Sequence, residues 1–289
     1  MKIVARENID VKRWNSLVSS TKNADFFSYA WYLDAVAENW CILVNDDYSQ
    51  GIALPFSIRL GVETLYTPIF VRYVEILGEV EDATIFEELI RSRFKNILLA
   101  TKQKMFANSS ELIYQEIAKQ EDRKLGSQAK RMLNKASKSE LSCNQSVDYQ
   151  LVLTVIKGGL TNKYQGLTEK SMQSLEGLFE NAKGVNALSV YQINDLGGIV
   201  CLQNDYQTLY LKGAVDDETK NKGGMYLALN SAIEEAQKAN KLFDFGGSNS
   251  EGVKRFNHNL GGEDVVYYSH ENLNYPWWYR LLKKVVGGK

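Results

Sequence analysis

Residues Thr208–Phe245 read TLYLKGAVDDETKNKGGMYLALNSAIEEAQKANKLFDF, and the way this run is punctuated decides the fold. Thr208–Val215 has the composition of a strand, and Asp216–Lys222 is a polar loop. After Gly223-Gly224, the residues Met225, Ala228, Leu229, Ala232, Ile233, Ala236 and Ala239 recur at intervals of three and four, the buried face of an amphipathic helix. Asn240-Lys241 ends that helix, and Leu242–Phe245 supplies a second strand. Strand, loop, helix and strand in this order make a β-loop-α-β unit with a right-handed crossover. A glycine-rich turn between strand end and helix start leaves backbone N–H groups unpaired, and the helix dipole favours negative charge there. Lys220, Asn221, Lys222, Gly223 and Gly224 therefore form a candidate phosphate cradle, although Gly-Gly before a helix is often only a sharp turn.

Upstream, Ala187–Ile193, Gly198–Gln203 and Thr208–Val215 read as an antiparallel meander, with Asn194-Asp195 and Asn204-Asp205 in its turns. Before it come a strand over Leu141–Val147, a helix from near Asp148, and a helix capped by Thr168 with Met172, Leu175, Leu178 and Phe179 inward. In the first half, Ile42–Val44, Ile52–Ile58, Val62–Tyr66 and Val74–Leu77 are strand-like. They follow a helix with Ser28 as its N-cap and Trp31, Leu33, Ala35, Val36 and Ala37 at helical spacing. Ile85, Phe86, Leu89, Ile90, Phe94, Ile97 and Leu98 then predict a second helix. The fold class is α/β with mixed sheets.

Between Glu121 and Glu140 a narrow stripe of Leu125, Ala129, Met132, Leu133 and Ala136 lies on a polar segment that carries Arg123, Lys124, Lys130, Arg131, Lys135 and Lys138. This reads as a helix joining two halves, either a solvated face or a surface that meets phosphates. The 289 residues suit two domains. The expected division is an N-terminal domain over 1–122, a basic connecting helix over 123–140 and a C-terminal domain over 141–289, with the last helix able to pack back on the N-terminal domain.

Composition narrows the function. Hydrophobic residues at 44% and charged residues at 24% are those of a globular protein. The 34 basic and 35 acidic residues nearly cancel, which argues against a dedicated duplex-binding protein. Three widely spaced cysteines give no disulfide framework, and two histidines are too few for an imidazole-rich metal site, so no metal is expected. The N-terminus lacks the apolar core of a signal peptide, and no run is long enough to span a bilayer; a cytoplasmic protein is expected.

An antiparallel meander running into strand, phosphate-type turn, helix and strand resembles the Gcn5-related acetyltransferases. Phe243-Asp244-Phe245-Gly246-Gly247-Ser248, Gly252-Val253-Lys254-Arg255-Phe256 and Leu260-Gly261-Gly262 are similar to the C-terminal signature of the FemAB-like group. Asp25-Phe26-Phe27-Ser28-Tyr29 with Trp31-Tyr32-Leu33 resembles the opening of its bacterial members, and the basic helix resembles their interdomain helix. The resemblance implies two tandem acetyltransferase-like domains joined by that helix, and transfer of an acyl or aminoacyl group to an amine. Two positions depart from it. Met225 stands where the phosphate turn usually has Gly or Ala, which leaves less room for coenzyme A. Asn257 stands where the family commonly has Lys after Phe, which argues against an aminoacyl-tRNA donor.

By resemblance, backbone N–H groups from Leu211 to Ala214, with Gly213 among them, polarise the donor carbonyl, and the turn from Lys220 to Met225 holds the donor phosphates. Asp244 and Ser248 are candidates for the proton-transfer step, Asp244 equally for a loop-anchoring carboxylate, and Tyr210 for a donor to the leaving thiolate or a core aromatic. Lys163, Tyr164 and Arg131 are candidate acceptor contacts. The segment Pro276–Val286 is aromatic, basic and apolar together; such a helix can lie on an anionic membrane, but docking across a domain interface with its tryptophans buried is the expectation. The first reading is an N-acyltransferase with acyl-CoA as co-substrate, an amine acceptor and no permanently bound cofactor. The alternatives are an aminoacyl-tRNA-dependent transferase and a catalytically silent anion-binding module.

Overall fold

Short β-branched and aromatic runs, broken by tight turns, build the first sheet. In the computed structural model, residues 1–80, 83–119, 123–160, 168–247 and 250–286 are described, with 159, 160 and 282–286 as backbone only. The chain begins β1 (Lys2–Ala5), α1 (Val11–Ser20), α2 (Ala30–Val36), β2 (Asn39–Val44), β3 (Gly51–Arg59), β4 (Val62–Tyr66), β5 (Ile76–Leu77), α3 (Thr84–Arg93), β6 (Asn96–Thr101) and β7 (Ser110–Ile117). Strands β1 to β4 pair antiparallel in chain order. β6 then lies parallel to β4, with Leu65 opposite Ile97 and Tyr66 opposite Leu98. Alternation along β2 and β3 feeds two cores. Cys41, Leu43, Ile52 and Leu54 pack with Phe86 and Ile90 of α3, whereas Ile42, Val44 and Ala53 pack with Trp14 and Leu17 of α1 and Leu33 of α2.

Two expectations fail here for local reasons. Ile97 and Leu98 belong to β6 rather than to the preceding helix, which stops at an extended Phe94. A short apolar run fits either period; the structure resolves it as alternation, with Ile97 and Leu99 buried and Leu98 exposed. Ser28 caps no helix. It ends the 3-10 turn Phe26–Ser28, and Tyr29 holds the N-cap position of α2 without a side-chain hydrogen bond.

The chain continues with α4 (Ser127–Lys138), β8 (Cys143–Ser146), α5 (Gln150–Leu160), α6 (Glu169–Gly184), β9 (Leu188–Ile193), β10 (Gly197–Gln203), β11 (Gln207–Val215), α7 (Asp217–Asn221), α8 (Gly224–Lys238), β12 (Leu242–Asp244), α9 (Glu251–Asn259), β13 (Glu263–Leu273) and α10 (Trp277–Val286). Thr168 caps α6, accepting from the Ser171 amide. Strands β8 to β11 are antiparallel neighbours, and β12 lies parallel to β11. Ala228, Leu229, Ala232 and Ile233 of α8 press on Tyr191, Ile193, Ile199 and Cys201 of the sheet. The helix closes as its sequence requires: Asn240 takes φ 53°, and the Lys241 amide donates to the Ala236 carbonyl at 2.8 Å, a Schellman end. The segment 216–222, read as a loop, contains α7, because Asp216 caps it through the Thr219 amide.

Two compact units result, Met1–Leu112 with Tyr267–Lys289, and Ile113–Val266. α4, read from sequence as a connector, falls within the second unit, and α10, read as able to pack back on the N-terminal half, falls within the first. The tryptophans of α10 are not buried as expected. Trp277 is 74% and Trp278 37% exposed, and Tyr279 is the buried member of this turn. No helix among the described residues is long and apolar enough to cross a membrane.

Candidate functional site

The site is built where β11 and β12 part. Their parallel pairing covers Gln207, Thr208 and Leu209 opposite Leu242, Phe243 and Asp244, and stops there. Beyond it β12 turns away: the Phe245 amide donates to the Gln115 carbonyl at 3.1 Å on β7, and Gly246 follows with φ 79°. A Cβ at Gly246 would lie 2.3 Å from the Tyr210 carbonyl oxygen, so only glycine passes this close to β11. From Tyr210 to Val215, no described strand pairs with the edge of β11 that faces β12.

The other edge of β11 carries a bulge. Register passes from Val200 opposite Lys212 to Cys201 opposite Tyr210, leaving Leu211 without a partner residue on β10. Bulges bend a strand and re-aim its backbone groups, and they recur beside active sites.

The parted strands open into a cleft of about 1190 Å³ within the second unit. Its walls are Tyr210, Gly213, Ala214 and Val215 of β11, Lys220 and Asn221 of α7, and Met225 and Tyr226 in the first turn of α8. Gln128, Arg131, Met132 and Lys135 of α4 form a further wall; Val155 and Gly158 of α5, and Val253, Phe256 and Asn257 of α9, complete it. A volume of this size accommodates an extended ligand well beyond a small metabolite. α8 begins without a side-chain cap, and its first amides have no intrahelical acceptor. Lys220 and Lys135 make no ion pair among the described residues, and Arg131 donates only to Gln128, at 2.7 Å. Asp216 and Asp217 also line the cleft and offset part of this positive charge; Asp216 has a further structural role. Hydrogen bonds from the Thr219 amide, opposed by burial and aided by the Thr219 hydroxyl, hold it below the usual carboxylate range, as the cap of α7.

The other residues singled out from sequence have different places. Lys222 points into an ion pair with Glu218 at 2.6 Å. Gly223 takes φ 98°, and a Cβ there would meet the Met132 carbonyl oxygen at 2.3 Å, so it seats the turn against α4. Gly224 is buried as the first residue of α8. Asp244 is 1% exposed, does not line the cleft, and accepts the Gly246 amide at 2.8 Å, which is the geometry of a loop anchor. Ser248, Lys163 and Tyr164 lie outside the described residues.

The basic helix divides between two duties. Arg123, ahead of α4, is a buried packing residue that donates to Asn230 of α8 at 2.7 Å, whereas Arg131 and Lys135 face the cleft. Asn257 is 2% exposed and donates to Gln115, which in turn donates to Asp264. Lys135 comes from the basic helix read as a surface that meets phosphates, whereas Tyr226 and Phe256 were not singled out from sequence as lining residues. The helical spacing of Gln128, Arg131, Met132 and Lys135 was the available signal for the α4 wall. Cysteine chemistry has no support: burial pushes the Cys41 thiol up to about 12 and raises those of Cys143 and Cys201.

Comparison with solved structures gives the fold. The chain is similar over 99% of its length to the crystal structure of FemX, all of which it covers, with a TM-score of 0.63 and 10% identity. The C-terminal domain of a putative lysylphosphatidylglycerol synthetase from Agrobacterium fabrum matches 96% of the chain and 95% of its own, with a TM-score of 0.59 and 11% identity. L-PGS from Bacillus licheniformis matches 94% and 95%, with a TM-score of 0.58 and 8% identity. No family model matches the sequence, and no curated protein sequence does. At these identities the likeness is one of fold, the FemAB-like, acetyltransferase-like arrangement that the sequence pointed to.

Proposed function

We propose that this protein is an N-acyltransferase that takes an acyl group from acyl-CoA and passes it to a primary amine. The observation that carries the reading is the parting of β11 and β12 into a cleft whose walls offer Arg131, Lys135, Lys220 and an uncapped helix start to an anionic ligand. A donor with several phosphates at one end and a thioester at the other suits this arrangement. The phosphates meet the cations and the first amides of α8; the acyl arm runs along the open edge of β11.

In that pose the thioester carbonyl lies beside the backbone of Leu211–Ala214, where the bulge frees backbone polarity to stabilise a developing oxyanion. The neutral amine attacks the carbonyl carbon. A C–N bond forms, the cationic nitrogen of the tetrahedral adduct gives up its extra proton to solvent, the adduct collapses with loss of the C–S bond, and the thiolate takes up a proton. Tyr210, on the cleft wall, is the residue we assign as that proton's donor. Asp244 we assign to anchoring the Gly246 turn rather than to proton transfer.

The test is release of free thiol from acetyl-CoA across a panel of amines, run beside thermal unfolding with coenzyme A. Turnover with at least one amine, and a rise in Tm with millimolar coenzyme A that shrinks in Arg131→Glu/Lys220→Glu, are expected. Absence of any thermal response to thioesters, together with consumption of aminoacyl-tRNA, would transfer the reading to the tRNA donor.

A further inference from the structure

Two exposed apolar features in the first unit serve neither a core nor the cleft. The first is the start of α10. Trp277 is 74% and Leu281 54% exposed, four residues apart and so on one side of the helix, while Tyr279 is buried beneath them. Arg280 is exposed beside them, and the sequence adds Lys283, Lys284 and Lys289; no acidic residue occurs after Glu271. The whole chain carries a net charge of −1, so this concentration of cations is local. The second is the hairpin between β3 and β4. Its two-residue turn is Leu60-Gly61, with φ 52° and 76°, and Leu60 is 69% exposed.

That turn departs from ordinary chemistry twice. Two positive φ values define a type I′ turn, whose first position favours Asn, Asp or Gly. A leucine there accepts backbone strain and also displays its side chain to water. Ile58, at the end of β3, is exposed as well. The hairpin and α10 both belong to the first unit. An exposed indole beside exposed leucines and a run of cations is the pattern of a surface that seats in the headgroup layer of an anionic membrane.

We propose that the Trp277/Leu281 face of α10, with the exposed Leu60 turn of the same unit as a further apolar contact, docks this protein peripherally on an anionic lipid bilayer. The occupant is the bilayer surface itself: tryptophan and leucine enter the interface, Arg280 meets the anionic headgroups, and the basic composition of the sequence that follows is complementary to their charge.

Flotation of the full chain with vesicles of equimolar phosphatidylcholine and phosphatidylglycerol, against phosphatidylcholine alone, tests this. Expected is partition onto the anionic vesicles that weakens as salt rises. Trp277→Ser/Leu281→Ser should reduce it by about tenfold or more, and Leu60→Ser by about threefold. Both substitutions are at exposed positions, and unchanged unfolding curves will verify that the fold is intact. No partition of the wild type onto anionic vesicles overturns the proposal. Partition that the double substitution leaves unchanged overturns it too, since binding then lies elsewhere. Self-association without vesicles that Trp277→Ser/Leu281→Ser abolishes would assign the face to a second copy of the chain, and also counts against it.

Discussion

Each unit contains the same turn of topology, a meander strand followed by a helical crossover and a parallel strand, yet one pair of strands is sealed and the other gapes. In the first unit β4 runs parallel to β6 for two residues, and the chain after β4 then fills the space beside β6. The Thr67 amide donates to the Leu98 carbonyl, the Ala100 amide donates to the Thr67 hydroxyl at 2.7 Å, and Val74 exchanges bonds with Ala100 and Lys102. Glu75 follows, and Lys102 bridges it to Asp25 with both contacts at 3.0 Å. In the second unit Gly213, Ala214 and Val215 of β11 line the cleft, and the loop after β12 is carried past Tyr210 by Gly246. The difference teaches where to look for chemistry. A strand edge already saturated by its own chain has no backbone to offer a ligand; an open one does.

The contrast can be broken at its supports. The largest effect is expected at Gly223, which holds the open side against α4. Gly223→Ala places a Cβ against the Met132 carbonyl at positive φ and should lower the unfolding free energy by about 3 kcal/mol in urea titrations. On the sealed side, burial raises Glu75 from the ordinary 4.5 to about 7. An acid raised on folding favours the folded state fully below its unfolded value, and that contribution is lost as pH rises through the folded one. Relative to Glu75→Gln, the wild type should therefore lose about 2 kcal/mol between about pH 5 and pH 8, read from paired unfolding curves.

Smaller changes sharpen the assignment of the open side. Arg131→Glu/Lys220→Glu should weaken coenzyme A about tenfold in titration calorimetry while leaving Tm of the unliganded protein nearly unchanged. Asp244→Asn keeps an acceptor for the Gly246 amide and removes the carboxylate. If the residue is an anchor, steady-state turnover should remain within about threefold, whereas loss of a general base costs about a hundredfold or more.

How much of this was legible depended on the range of the forces involved. The β11-α8-β12 unit could be read because its period, its left-handed Gly223 and its Schellman end at Asn240 are all local. Thr168 as a cap belongs to the same class. Ile97 and Leu98 were misplaced because an apolar pair looks alike on a helix and in a buried strand until its neighbours choose the period. The site was legible only by half. That Lys220, Met225 and Tyr210 converge is a consequence of one supersecondary unit, but the opposing wall comes from α4, about 80 residues earlier in the chain. No spacing rule separates Arg123, which packs on α8, from Arg131, which faces the cleft. Asn257 is held by Gln115 across 142 positions of sequence, a partner no local pattern announces.

The central claim, that the open edge of β11 receives an acyl donor, is tested most directly by amide hydrogen exchange with and without coenzyme A. New protection is expected at 211–215 and 224–227, with the sealed segment 67–74 unchanged. Protection confined to the first unit, or none in 211–215 at ligand concentrations that raise Tm, would contradict it.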